Sequence, residues 1–213
     1  MESDPVSLSL ASIVEAPGAC TPAPHASTAA TGALAERTLI RAQAGEVQAF
    51  RELVHTHQGS IYSLALRLLN VREDAQELAQ DVFVLLHRHL ADIVSAQHLR
   101  FWLRKTVCHR AIDRLRSSRL AFLPLDAAAD LEVPAREHDS LMEGRLGQLI
   151  ARLPVVPRAV LLLRYQEDLD PPEIAHALGL PLNTVKSHLR RSLALLRTRS
   201  GELHGSEAGE IHT

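Results

Sequence analysis

The chain has 213 residues, a net charge of −2 and few aromatic side chains: one Trp, two Tyr and four Phe. An all-β fold draws on β-branched and aromatic residues, so a sequence led by Leu, Ala and Val favours helices. Its two cysteines, Cys20 and Cys108, build neither a disulfide framework nor a CxxC metal site. No apolar run approaches the roughly 20 residues of a membrane span, and the N-terminus lacks the basic start of a secretory signal, so a reducing cytoplasm is the expected compartment.

Charge is unevenly spread. Residues 1–36 carry −4, residues 37–120 carry +5, residues 121–147 carry −4, residues 148–200 carry +4 and the last thirteen residues carry −3. Two basic blocks thus alternate with three acidic segments. The layout suits two nucleic-acid-contacting modules with acidic connectors, and also two ordinary solvated domains.

Residues 1–33, rich in Ala, Ser, Thr and Pro, have no sustained period and little to bury, which predicts a disordered leader. Helical spacing starts at Leu34 and pauses at Gly45, a helix stop. It resumes with Val47, Phe50, Leu53 and Val54, then Ile61, Leu64, Ala65, Leu68 and Leu69. Asn70 and Glu73 read as a capping-box start for a helix carrying Ala75, Leu78, Ala79, Val82, Phe83, Leu86 and Leu90 on one face. A connector, Ala91 to Gln97, leads to a helix from Leu99 to Ser117 with an inner stripe of Leu103, Val107, Ala111 and Leu115. Residues 34–118 therefore form one module of four helices. Residues 119–144 are acidic, aperiodic and proline-bearing, as an interdomain linker is. Residues 145–200 form a second helical module, and residues 201–213 a frayed tail. The predicted fold is all-α, two small helical domains joined by a flexible acidic linker.

Three stretches carry chemistry. Glu173 to Leu196 reads as a helix-turn-helix: Ala175 is small where helices cross, Gly179 supplies the turn and Val185 anchors the second helix. Asn183, Thr184, Lys186, Ser187, His188, Arg190 and Arg191 then face outward, the early ones toward base edges and the arginines toward phosphates. The plainer alternative is a helical hairpin with a solvated basic face. Asp74, Glu77, Gln80 and Asp81 make a polar helix face with no nucleophile or His fixed beside it. It is either solvated or a protein-docking face. Trp102, Arg104, Lys105, Arg110, Arg114 and Arg116 interleave cations with an aromatic ring, the combination that single-strand binding uses; Phe101 beside them is expected in the core. Twelve histidines assemble no metal site from their spacing, no cofactor motif appears, and nothing marks an enzyme.

Together these stretches resemble a bacterial RNA polymerase sigma factor of the small, two-domain, extracytoplasmic-function group. The resemblance rests on AFRELVHTH (Ala49–His57), LALRLLNVREDAQELAQDVFVLLHRHL (Leu64–Leu90), FWLRKTVCHRAIDRLRSSR (Phe101–Arg119) and the stretch from Leu153 to Arg197. It implies that residues 34–118 act as sigma region 2 and residues 145–200 as sigma region 4. By that resemblance, Asp74, Glu77, Gln80 and Asp81 dock on core RNA polymerase. The connector Ala91–Gln97 captures a flipped base of the −10 element, and Trp102 with the cations at 104, 105, 110, 114 and 116 contacts and opens that element. The helix from Asn183 reads the −35 element of promoter DNA. The acidic linker threads polymerase, and an anti-sigma factor is the implied regulatory partner. The competing reading is a stand-alone helix-turn-helix transcriptional regulator, which needs neither the docking face nor the basic first module.

Overall fold

The computed structural model describes residues 28–120 and 144–207, where every regular element is helical. The leader over residues 1–27, the linker over 121–143 and the tail over 208–213 lie outside the described residues. In chain order the helices are α1 (Thr28–Gln43), α2 (Val47–Leu69), α3 (Arg72–Arg88), a 3-10 turn (Leu90–Asp92), α4 (Ala96–Leu120), α5 (Arg145–Ala151), α6 (Val155–Tyr165), α7 (Pro171–Leu178) and α8 (Leu182–Glu207).

Local chemistry explains most of the boundaries. Gly45 takes φ +89, and the chain turns there through bonds from the Gly45 and Glu46 N–H groups to the Ala42 and Arg41 carbonyls, at 3.0 and 3.1 Å. The Arg41 guanidinium closes the turn on the Glu46 carboxylate, which holds that carboxyl below its ordinary range. Pro171 and the residue after it open α7, where a missing N–H costs nothing.

Three sequence expectations shift. The first helix begins at Thr28, earlier than Leu34, and the last runs on to Glu207, through the first half of the expected tail. Asn70 does not start α3 as a cap. It sits in the left-handed region at φ +57, and its N–H bonds the Leu66 carbonyl at 2.7 Å. It terminates α2, a role that Asn fills because its short polar side chain tolerates that conformation.

The described residues group into two compact units. One comprises the chain to Ala65 with Ala75–Val107; the other comprises Leu66–Asp74 with the chain from Cys108 onward. The first is built on α2, α3 and the first half of α4. Leu53, Leu64, Leu78, Phe83, Leu86 and Leu103 are buried there, each contributing roughly 2 kcal/mol of hydrophobic stabilisation. In the second, α8 packs on α5, α6 and α7, and Leu149, Leu153, Leu161 and Leu196 form its apolar centre. Arg158 is buried in that unit as well. Its guanidinium donates to the carbonyls of Leu68 at 2.7 Å, Leu153 at 2.8 Å and Ala151, so a cation satisfies carbonyls at two helix ends, which favour positive charge.

Candidate nucleic-acid interface

The helix-turn-helix is assembled by its own turn. Asp170 and Glu173 form a capping box at the start of α7, the Glu173 carboxylate accepting the Asp170 N–H at 2.8 Å. Arg164 braces the same corner, donating to the Leu169 carbonyl at 3.2 Å and to the Asp170 carboxylate at 3.0 Å. The helix stops at Gly179, φ +64, and the Leu180 N–H returns to the Ala175 carbonyl at 3.0 Å. Ile174 and Ala177 are buried beneath α7, whereas Ala175 is only half-buried.

Pro181 then launches α8, its carbonyl accepting the Thr184 and Val185 N–H groups at 2.9 and 3.2 Å. Val185, Ser192 and Leu196 turn inward. Asn183, Lys186, Arg190 and Arg191 are exposed, and Thr184, Ser187 and His188 are half-buried beside them. All seven residues expected to meet DNA on this helix thus lie off its buried stripe. Partial burial, and secondarily the Arg191 charge, push the His188 pKa down. Its ring is therefore neutral at pH 7, able to donate from one nitrogen and accept at the other.

The second expected DNA surface lies on α4. Leu99, Leu103, Val107, Cys108, Ala111 and Ile112 bury one side of it. Arg110 and Arg116 are exposed; Trp102, Arg104, Lys105 and Arg114 are half-buried. Phe101, expected in the core, is half-buried like Trp102. The Trp102 ring lies 6.1 Å from that of His89, tilted by 42°. Arg100 and Arg104 add positive charge around His57, whose pKa falls to about 4, first through burial and then through those two arginines. His109 meets the Ala177 carbonyl at 2.8 Å. Cys108 is fully buried, which together with the Glu167 charge pushes its thiol up to about 12.

On α3, Glu77 and Asp81 are exposed, Asp74 and Gln80 half-buried, and Ala75, Leu78, Ala79 and Val82 buried beneath them. One residue of this expected docking face pairs with one of the expected −10 residues: Arg114 donates to the Asp74 carboxylate at 3.1 Å.

The connector between α3 and α4 shows what periodicity missed. Gln43, at the end of α1, donates both amide hydrogens into it, to the Leu90 carbonyl at 2.9 Å and the Ile93 carbonyl at 2.7 Å. Glu36 accepts the Ala96 N–H at 2.8 Å. Ser95 caps α4 through its hydroxyl, 3.1 Å from the His98 N–H. Leu90, Ile93 and Ala96 point inward, while Val94 is 81% exposed. Among the described residues no group of three or more His, Cys, Asp or Glu side chains gathers to hold a metal, and no helix is long and apolar enough to cross a membrane.

Residues 53–120 match the family profile described as sigma-70 region 2, and residues 143–196 that described as sigma-70, region 4. The chain is 31% identical over 153 residues to an RNA polymerase sigma-E factor of Streptomyces avermitilis, covering 72% of this chain and 86% of that one. It is 32% identical over 157 residues to the ECF RNA polymerase sigma factor RpoE of Cereibacter sphaeroides, covering 70% and 84%. Its fold is similar to that of a sigma factor RpoE from Bartonella quintana, solved with the anti-sigma factor NepR, at a TM-score of 0.55 and 15% identity over 71% of this chain and 96% of that one.

Proposed function

The chain belongs to the ECF RNA polymerase sigma factors, alternative sigma factors for promoter recognition and transcription initiation, and from that premise we propose which of its surfaces does which part of the work. The α8 face of Asn183, Thr184, Lys186, Ser187, His188, Arg190 and Arg191 reads the −35 duplex. Lys186 and the neutral His188 address base edges in the major groove, and Arg190 and Arg191 hold phosphates. Trp102, Arg104, Lys105, Arg110, Arg114 and Arg116 of α4 engage the −10 element as it opens. Opening DNA costs base stacking, and a surface of cations with an aromatic ring recovers part of that cost on the freed strand. Asp74, Glu77, Gln80 and Asp81 of α3 dock on core polymerase. The connector Ala91–Gln97 receives one flipped base.

The chain acts in the cytoplasm as a polymerase subunit, not as an enzyme, and an anti-sigma factor holds it when it is idle. The observation that carries this assignment is that seven polar or basic side chains of α8 surround, and none joins, the buried stripe of Val185, Ser192 and Leu196. Transcription in vitro from a genomic promoter library, with core polymerase alone and with the chain added, tests it. A start-site-specific transcript requiring the chain is expected; no core binding and no such transcript on any promoter overturns it. Arg190→Ala and Arg191→Ala weaken binding to all duplexes and each lower the salt slope by about 1, whereas Lys186→Ala or His188→Ala shifts sequence preference. Equal losses on every sequence from all four remove base reading by this helix. A stand-alone regulator would keep duplex binding but gain nothing from polymerase.

A further inference from the structure

We infer that Gln43 and Glu36 of α1 are positioning residues for the base-receiving connector, fixing the backbone from which a −10 base is discriminated; this rests on the assignment of Ala91–Gln97 to base capture. Neither residue is in the connector, and neither carries any of the roles assigned above.

The geometry is specific to a clamp. A connector between two helices has backbone groups that no helix satisfies. Here α1 reaches three connector groups from 47, 50 and 60 positions away in the chain, one of which, the Leu90 carbonyl, also accepts the Ile93 N–H of its own turn at 3.3 Å. The Gln43 amide has two N–H groups and spends both on connector carbonyls, at Leu90 and Ile93. The Glu36 carboxylate takes the Ala96 N–H, which as the first residue of α4 has no partner within its own helix. The pinned residues Leu90, Ile93 and Ala96 are buried, while Asp92 and Val94 between them point out. Asp92 is tied on the outer side to His89 at 3.2 Å, and the Val94 N–H to the His98 ring at 3.2 Å. The inner clamp therefore sets where the outward groups stand, with Asp92 against the His89 ring, which itself lies 6.1 Å from the Trp102 ring. Discrimination among bases depends on such placement, because a polar group displaced by even 1 Å no longer rejects the wrong partner.

The test uses the full chain reconstituted with core polymerase and fluorescent single-stranded oligonucleotides carrying the −10 sequence of a responsive promoter. Each position is varied through four bases and an abasic site. Wild type is expected to prefer one base at one position. Gln43→Glu keeps the shape of the side chain but replaces the donating group with an acceptor facing two carbonyls. It should cut that preference about tenfold, the scale of one to two neutral hydrogen bonds, while leaving affinity for the abasic oligonucleotide and for the −35 duplex unchanged. Gln43→Ala should do the same with less disturbance of the fold. Glu36→Gln, which can still accept the Ala96 N–H, should retain most of the preference that Glu36→Ala loses. If both Gln43 variants keep the wild-type preference, the clamp idea is wrong and base capture stands. If they lose affinity equally for all oligonucleotides, abasic included, Gln43 is only structural and the inference fails. If wild type shows no preference at any position, base capture falls and the clamp with it.

Discussion

The helix-turn-helix and the α3–α4 connector are both short turns, each proposed above to meet DNA, and they are held by opposite means. The first is closed by its own residues: Asp170 and Glu173 cap it, Gly179 reverses it, and Arg164 braces it from six positions away. The second has a cap of its own in Ser95, but its carbonyls are bound by Gln43, on a helix that ended some forty-seven residues earlier. A self-closing turn is damaged most directly from within. A turn held at a distance can be altered without touching the residues it presents to solvent.

That contrast can be broken most forcefully at the buried anchor. Val185→Asp places a carboxylate at a site with no exposure and should cost on the order of 3 kcal/mol or more. Circular dichroism under urea should show a new early transition, with −35 duplex binding lost. Gly179→Ala comes next. A Cβ there meets nothing within 4 Å, so the whole penalty is that of the left-handed backbone, roughly 1–2 kcal/mol; a neutral result in the same urea titration would mean that the turn is not self-closing. Asp170→Ala should cost about 1 kcal/mol through the lost cap, and a double change with Glu173→Ala should cost less than the sum of the two singles, because one reciprocal arrangement is removed twice.

The last effect shows itself only in acid. His57 has a folded pKa of about 4 against an ordinary 6.5. Between those values the unfolded chain holds the proton that the folded chain refuses. Stability is therefore fully present above pH 6.5 and declines as pH falls toward 4. His57→Gln removes that dependence, so the difference in urea midpoint between wild type and variant should be flat above 6.5 and shift against wild type below it. A difference independent of pH would show that His57 is not desolvated beside Arg100 and Arg104.

The sequence made the self-closing parts legible, because their signals are local. Pro171, Gly179 and Val185 each dictate a backbone or a packing position by residue type alone, and α8 could be oriented from its apolar spacing. The buried faces of α3 and α4 followed from the same periodicity. What stayed hidden was non-local. No spacing rule links Gln43 to Leu90, or Arg158 to the Leu68 carbonyl, since each is a single polar side chain on an otherwise ordinary helix. Asn70 misled for a related reason: its residue type fits either end of a helix, and only the backbone angle tells the start of α3 from the stop of α2. Arg114 likewise reads as a phosphate contact from sequence, and only the fold sets it beside Asp74.

Cys108 offers a use that follows from its burial. A thiol held at about 12 is ionised at pH 7 in roughly one molecule in 100,000, and no reagent reaches it while the packing around α4 is closed. Alkylation of Cys108 in a Cys20→Ser background therefore advances only as fast as that packing opens. The residue is a built-in stopwatch: modification timed by mass spectrometry, for the chain alone and for the chain on polymerase, would report how often the interior beside α4 comes apart in each state.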